Sequence, residues 1–345
     1  MSVRIRGIYA TALTDLLEDV VQASPPIRER FDASFPLEPA DAVVETTVDR
    51  QGVGVVGDSD RVETVTDRLR EVGLDTLTWP ASLPRGAVYA GEVTETLGSG
   101  AVVEVGDGAG FLPYSKSTRR IEEGDHLRVQ VTDPVPPWSD DRPVLDTTLR
   151  VHGGLVSLVR GGRTDGTGPE LADLVPTDPP EGWATDWGYD SDDASLDALD
   201  DALADAAERA RELDEAFADA PDPAEAAPHQ YYAGEGTQWV WFGRDSRFAL
   251  DERRRAVTET MAGHHRIKAA AEEASAAVDF VEAVCPDGCD GSFPFDAVAG
   301  QFGPREGEDV ALAHGKPDGR CFLLGYGEVT SRGADGAVTV RRDIS

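Results

Sequence analysis

Two adjacent histidines, His264 and His265, stand beside Arg266 and Lys268 in the run GHHRIKA. An imidazole titrates near neutrality and can move a proton there. A neighbouring guanidinium can stabilise a charged phosphorane. Together these types suit metal-independent cleavage of RNA through its 2′-hydroxyl. The competing reading of the pair is a helix cap with one satisfied core histidine. Asp251, Glu252, Asp279 and Glu282 offer another route, holding a divalent cation such as magnesium for hydrolysis. Which of the two applies, and so whether a metal is needed, is left open by the residues. Cys285 and Cys289 are spaced C-x-x-x-C, with His314 and Cys321 downstream. Four such ligands could bind zinc, but CPDGCDG reads better as a polar loop.

A second group of chemistry-bearing residues lies far upstream. Phe111 and Tyr114 are followed by Lys116, Arg119 and Arg120. These rings can stack on bases, and the cations can follow a phosphate backbone. The element that must carry them is the stretch 86–131. Its valines come in short alternating runs, at 88, 93, 102, 103, 105, 129 and 131, with glycines between them. Alternation broken by turn residues every eight to twelve positions predicts a small antiparallel barrel. Val144, Leu145 and Leu149 would supply the closing strand, after a polar loop that carries Arg142.

The wording of this stretch, GAVVEVGDGAGFLPYSK, resembles an S1 domain of the sub-type found in ribonucleases E and G. That resemblance implies an RNA-binding OB-fold. It places the two stacking positions on Val102 and Phe111, of which Phe111 alone is aromatic; Tyr89 or Tyr114 could compensate. It also implies an RNA-contacting cation in the loop that holds Arg142. Within the barrel, the bland reading of Phe111 is a plug in the core.

The chain has 345 residues, enough for two or three domains, and a net charge of −33 from 65 acidic and 32 basic residues. Only Lys116, Lys268 and Lys316 are lysines. An acidic surface with lysine nearly absent is the usual look of a protein from near-saturated salt. Salt of about 1 M shortens the screening length to about 3 Å, so such self-repulsion is tolerable. The bulk charge therefore reports habitat and does not exclude RNA. Binding must lean on stacking and hydrogen bonds, because counterion release fades as salt rises. The N-terminus carries charges among its apolar residues, no apolar run is long enough to span a membrane, and three cysteines give no disulfide framework. A soluble cytoplasmic protein is expected.

Taken in order, residues 1–82 read as a small α/β unit. VRIRGIY opens it as a strand. TALTDLLEDV follows as a helix, VVQAS as a strand and PPIRERF as a helix. AVVETTVD and GVGVVGD form a hairpin-like pair. In DRVETVTDRLREVG, Val62, Val65, Leu69 and Val72 share a helical face, with Asp60 and Glu63 suited to the cap. LDTLTW returns as a strand. Residues 83–160 are the barrel. A Gly/Pro/Asp-rich stretch and a long helix fill 161–226. In that helix Leu196, Leu199, Leu203, Ala206, Ala210, Leu213 and Phe217 form a seam that packs on its own chain or pairs two copies. Residues 227–345 are expected to form a small C-terminal β-barrel with helices. GTQWVWFG is a strand there, and EDVALAHGK, GRCFLLGYGEVTSRG and AVTVRRDI are mostly β. The fold class is thus α+β and multidomain.

RIRGIYATAL, GAVYAGEV, GFLP, SKST, GHHRIKA, VDFVE and a final DGR segment, in this order, resemble the archaeal FAU-type proteins over essentially the whole length. These are probable ribonucleases that bind AU-rich RNA. The resemblance implies an endoribonuclease in processing or degradation of ribosomal RNA precursors, with RNA as partner. It does not assign the cutting residues. Two other readings stand beside it. The C-terminal part also resembles a domain of bacterial metal-dependent nucleoside di- and triphosphatases, and a non-catalytic RNA-binding factor fits the barrel equally.

Overall fold

The computed structural model describes residues 2–117, 119–162, 174–218, 220–258, 309–315, 321–332 and 338–341. Two compact units divide the chain. Residues 1–28 and 33–251 form the first, and residues 29–32 and 252–345 the second. Five α-helices are present among the described residues. None is long and apolar enough to cross a membrane.

The chain begins with β1 (Val3–Arg6), α1 (Ala10–Leu16), α2 (Pro25–Phe31), β2 (Ala42–Thr46), β3 (Gly52–Gly57), α3 (Ser59–Arg70) and β4 (Thr76–Pro80). Alternation drives the strands: Val3, Ile5, Ala42, Val44, Val53 and Val55 are buried. In α3, Val62, Val65 and Leu69 face the core. Its cap is Asp58, whose carboxylate accepts hydrogen bonds from the backbone N–H groups of Asp60 and Arg61 at 3.1 and 3.0 Å. Asp60 and Glu63, the expected caps, lie inside the helix, because the helix starts one residue after Asp58. VVQAS is not a strand. Asp19 and Gln22 have φ of 57° and 50°, which breaks the extended run, and Val20 makes only an isolated bridge to Val3.

The sheet order is β1-β2-β3-β14-β4, where β14 is Gly236–Phe242. That strand, expected to serve a C-terminal unit, lies between β3 and β4 and is antiparallel to both. Its Val240 and Phe242 are fully buried in the sheet's core. The chain thus returns to its first eighty residues to complete their sheet.

The barrel follows the predicted stretch. β5 (Val88–Thr96), β6 (Gly100–Glu104), β7 (Ala109–Pro113), β8 (His126–Asp133) and β9 (Val144–Asp146) close through β5–β8 pairing into five strands. β9 closes it as expected, running parallel to β7 and antiparallel to β8. Leu149 lies past the end of β9 and packs in a different core. A sixth strand, β13 (His229–Tyr232), adds to β5 from outside. The barrel core contains Tyr89, Val93, Ala101, Val103, Leu112, Leu127, Val129 and Leu145.

A third sheet of β10 (Arg150–His152), β11 (Val156–Arg160) and β12 (Trp183–Trp187) carries α4 (Leu196–Ala218). The seam of α4 is buried here. Leu199, Leu203, Ala206, Ala210 and Leu213 are at most 1% exposed, against Leu155, Val156 and Leu158. The alanines let helix and sheet approach closely. Leu196, at the start of the seam, is 48% exposed. At the other end, the Arg128 guanidinium of β8 lies 4.3 Å from the Phe217 ring centre and 5.2 Å from that of Tyr231. This ties α4 and β13 to the barrel.

α5 (Arg244–Thr258) follows β14. The second unit contains an antiparallel sheet of β15 (Asp309–Gly315), β16 (Cys321–Arg332) and β17 (Val338–Arg341), in that order.

Candidate nucleic-acid interface

Gly110 fixes which way Phe111 points. Gly110 and Leu112 face the barrel core, where a Cβ on Gly110 would come within 2.6 Å of the Leu145 side chain. Alternation along β7 then turns Phe111 outward. Its ring lies against Gly100, where a Cβ would clash with it at 2.6 Å, and it remains half-buried on the outer face. Leu112, and not Phe111, fills the core.

Val102 is paired directly with Phe111 and is 5% exposed. Tyr89 cannot substitute for it as a stacking ring. It is 1% exposed in the barrel core, and its hydroxyl accepts a hydrogen bond from Gln230 Nε2 at 3.0 Å. Tyr114 is 40% exposed, held by a 2.9 Å hydrogen bond from its hydroxyl to the Leu97 carbonyl.

The cations fall into two sets. Arg119, Arg120 and Tyr114 line one shallow depression of about 670 Å³ with Ile121, Glu122 and Glu123. Arg119 Nη2 donates to the His126 carbonyl at 3.0 Å, and Arg120 Nε lies 3.3 Å from Glu122. Lys116 and Arg142 belong to the β7–β9–β8 seam with Phe111. Lys116 Nζ donates to Thr132 Oγ1 at 2.8 Å and lies 3.5 Å from Asp133. Thr132 in turn donates to the Val144 carbonyl, and Val144 is the β9 partner of Phe111. The Phe111 N–H donates to the Pro143 carbonyl at 2.8 Å, which seats the Arg142 loop beside the ring; Arg142 is exposed.

The catalytic candidates do not assemble among the described residues. His264, His265 and Arg266 lie outside them, as do Asp279, Glu282, Cys285 and Cys289. Asp251 and Glu252 are on α5, where adjacent positions point apart; Asp251 is half-buried and Glu252 exposed. Among the described residues no group of three or more His, Cys, Asp or Glu side chains is placed to hold a metal.

Sequence reasoning missed a polar cleft of about 550 Å³ in the first unit. Arg85, His152, Arg209 and Glu235 line it, from four separate segments, so no spacing signal could have joined them. Arg85 Nη2 pairs with Glu235 Oε2 at 2.8 Å. Burial pushes the Glu235 carboxyl up, but the Arg85 charge and hydrogen bond, with Arg209 and His152, outweigh it and hold it below its usual range. Burial and then the Arg85 charge lower the His152 imidazole, so it is neutral at pH 7 and able to accept a proton. Burial raises the Asp205 carboxyl on the same wall. Carboxylates outnumber arginines around this cleft. A phosphate there would meet a net negative wall, so the cleft does not displace the barrel face as the place for RNA.

A protein named probable ribonuclease FAU-1 from Haloarcula marismortui is 56% identical over 354 aligned positions, covering 100% of this chain and 76% of its own length. The chain belongs to the FAU-1 family. Another protein of that name, from Natronomonas pharaonis, is 54% identical with the same coverage of both chains. A third, from Thermococcus gammatolerans, is 28% identical over 95% of this chain and 72% of its own. No family model matches the sequence. The first two FAU-1 relatives come from haloarchaea, in keeping with the acidic, lysine-poor composition.

Proposed function

We propose that this chain is an RNA-binding endoribonuclease that processes or degrades ribosomal RNA precursors in the cytoplasm, gripping unpaired AU-rich segments. The observation that carries the reading is the outward Phe111 ring, with Lys116 and the Arg142 loop joined to it through Val144 and Pro143. A solvent-facing ring with cations beside it on a small barrel is the arrangement that stacks an unpaired base and tracks its phosphates. The FAU-1 relatives, named probable ribonucleases, support the cutting step.

In this reading the barrel strands β5 to β9 bind, with Tyr114, Arg119 and Arg120 extending the path. His264, His265 and Arg266 carry out cleavage within 227–345, while 1–82 and 161–226 serve as scaffold. The seam of α4 is occupied within the chain, so pairing of two copies through this helix would need its other face.

Purified protein incubated with end-labelled ribosomal RNA precursor in molar potassium chloride should generate new ends. Tight binding with intact RNA would overturn the cleavage assignment and leave a non-catalytic RNA-binding factor. Release of phosphate from nucleoside triphosphates, with RNA untouched, would favour a phosphatase.

A further inference from the structure

The outer face of the first sheet carries an aromatic pocket that the barrel reading does not use. Trp79 on β4 and Trp239 on β14 are directly opposite each other. Trp239 lies flat on β3 because Gly54 has no side chain beneath it; a Cβ there would sit 2.8 Å from the indole. Trp138, from the loop between β8 and β9, stands over both, with ring centres 5.4 Å from Trp79 and 6.4 Å from Trp239. Its Nε1–H donates to Asp49 Oδ2 at 2.8 Å, which fixes the ring. Beside Trp138 and Trp239 is a pocket of about 540 Å³, walled by Val56 and Pro136, by four carboxylates that include Asp49 and Asp141, and by the Arg85 cation; such net negative walls admit a base and leave its phosphate outside. Val48, at the pocket's edge, is entirely exposed.

We propose that this pocket binds one unpaired nucleobase bearing an exocyclic amino group, stacked on Trp138. The proposal rests on the reading of the chain as an RNA-binding protein and gives it a second base site. The volume falls in the range of small-ligand pockets, and the fixed indole is a preorganised stacking surface. The site continues from the barrel face. Thr132 and Asp133, which hold Lys116, also wall the pocket, and the loop that carries Trp138 runs on through Arg142 to the Phe111 contact.

The carboxylates set the choice of base. An ionised carboxylate only accepts hydrogen bonds. Asp49 stays ionised: burial pushes its carboxyl up, but hydrogen bonds from Thr47, the Gln51 backbone and Trp138 outweigh that and lower it. Adenine, cytosine and guanine present amino donors to such a wall. Uracil presents one N–H flanked by two carbonyl oxygens, which the carboxylates repel.

Tryptophan fluorescence of the full chain, titrated in molar potassium chloride with adenosine and uridine monophosphates, tests this. Saturable quenching is expected, tighter for the adenosine nucleotide by roughly fivefold, the scale of one hydrogen bond. Trp138→Ala should abolish it. Asp141→Asn, which removes an accepting carboxylate from the wall without touching the Trp138 hydrogen bond, should bring the two nucleotides towards equal affinity. Phe111→Ala should leave mononucleotide quenching in place while weakening binding of oligoadenylate. The proposal is overturned if neither nucleotide saturates, if both quench alike in the wild type, or if Trp138→Ala quenches as before. Undiminished oligoadenylate binding in Phe111→Ala, with mononucleotide quenching intact, would instead count against the barrel and would leave the pocket standing.

Discussion

The outward aim of Phe111 depends on a glycine next to it. Gly110 has Leu145 where its side chain would be, so the strand cannot flip register without forcing a phenyl ring into a filled core. Two other residues make sharp predictions at this scale. Glu235 and Arg85 are 14% and 20% exposed and face each other. Removing one member of such a pair strands the other charge. Glu235→Ala should therefore cost about 3 kcal/mol or more in denaturant unfolding, while a rim pair such as Arg120–Glu122 should cost almost nothing. His152 gives a pH dependence. Its folded pKa is depressed below the ordinary imidazole value of 6.5. The unfolded chain then binds the extra proton first, so stability falls as pH drops below about 6.5. In His152→Asn that part of the slope should vanish, as read from unfolding midpoints across the pH range.

The elements were legible to different depths. The valine alternation of 86–131 gave the barrel, although its closing strand stops at Asp146, short of the expected Leu149. The α4 seam was equally plain, since Leu199, Leu203 and Leu213 share a face; what covers that face was not. Periodicity reports a buried side and is silent about its partner. The same limit hid β14. Its alternation marked a strand, but its neighbours β3 and β4 lie roughly 160 to 190 residues upstream, and no local signal records such a pairing. The VVQAS run failed for the opposite reason, because left-handed turns at Asp19 and Gln22 override β propensity. Of the site, Lys116, Arg119 and Arg120 stood out in a lysine-poor chain, but their division into two sets did not. The Trp138 pocket was not visible, being assembled from four distant segments. Packing of α4 on its sheet makes Leu203 a good probe. It is fully buried, and Leu203→Ala should destabilise the fold by about 2–5 kcal/mol in chemical denaturation.

Across the molecule, a charge of −33 sets the working conditions. In dilute buffer the Debye length grows to about 30 Å at 0.01 M, and the acidic surface repels itself across the whole fold. Thermal midpoints should rise with potassium chloride into the molar range; a protein equally stable in dilute buffer would contradict this reading of its composition. RNA affinity should respond weakly to salt for the same reason. Few phosphates are neutralised, so the log–log slope should be shallow compared with a basic RNA-binding domain.

The central claim is that unpaired RNA is held by stacking on one outward ring. The measurement that bears on it most directly is the affinity of the full chain and of Phe111→Ala for a single-stranded AU-rich RNA in molar potassium chloride. Phe111→Ala should lose about 1–3 kcal/mol of binding free energy. Equal affinity of the two proteins would contradict it.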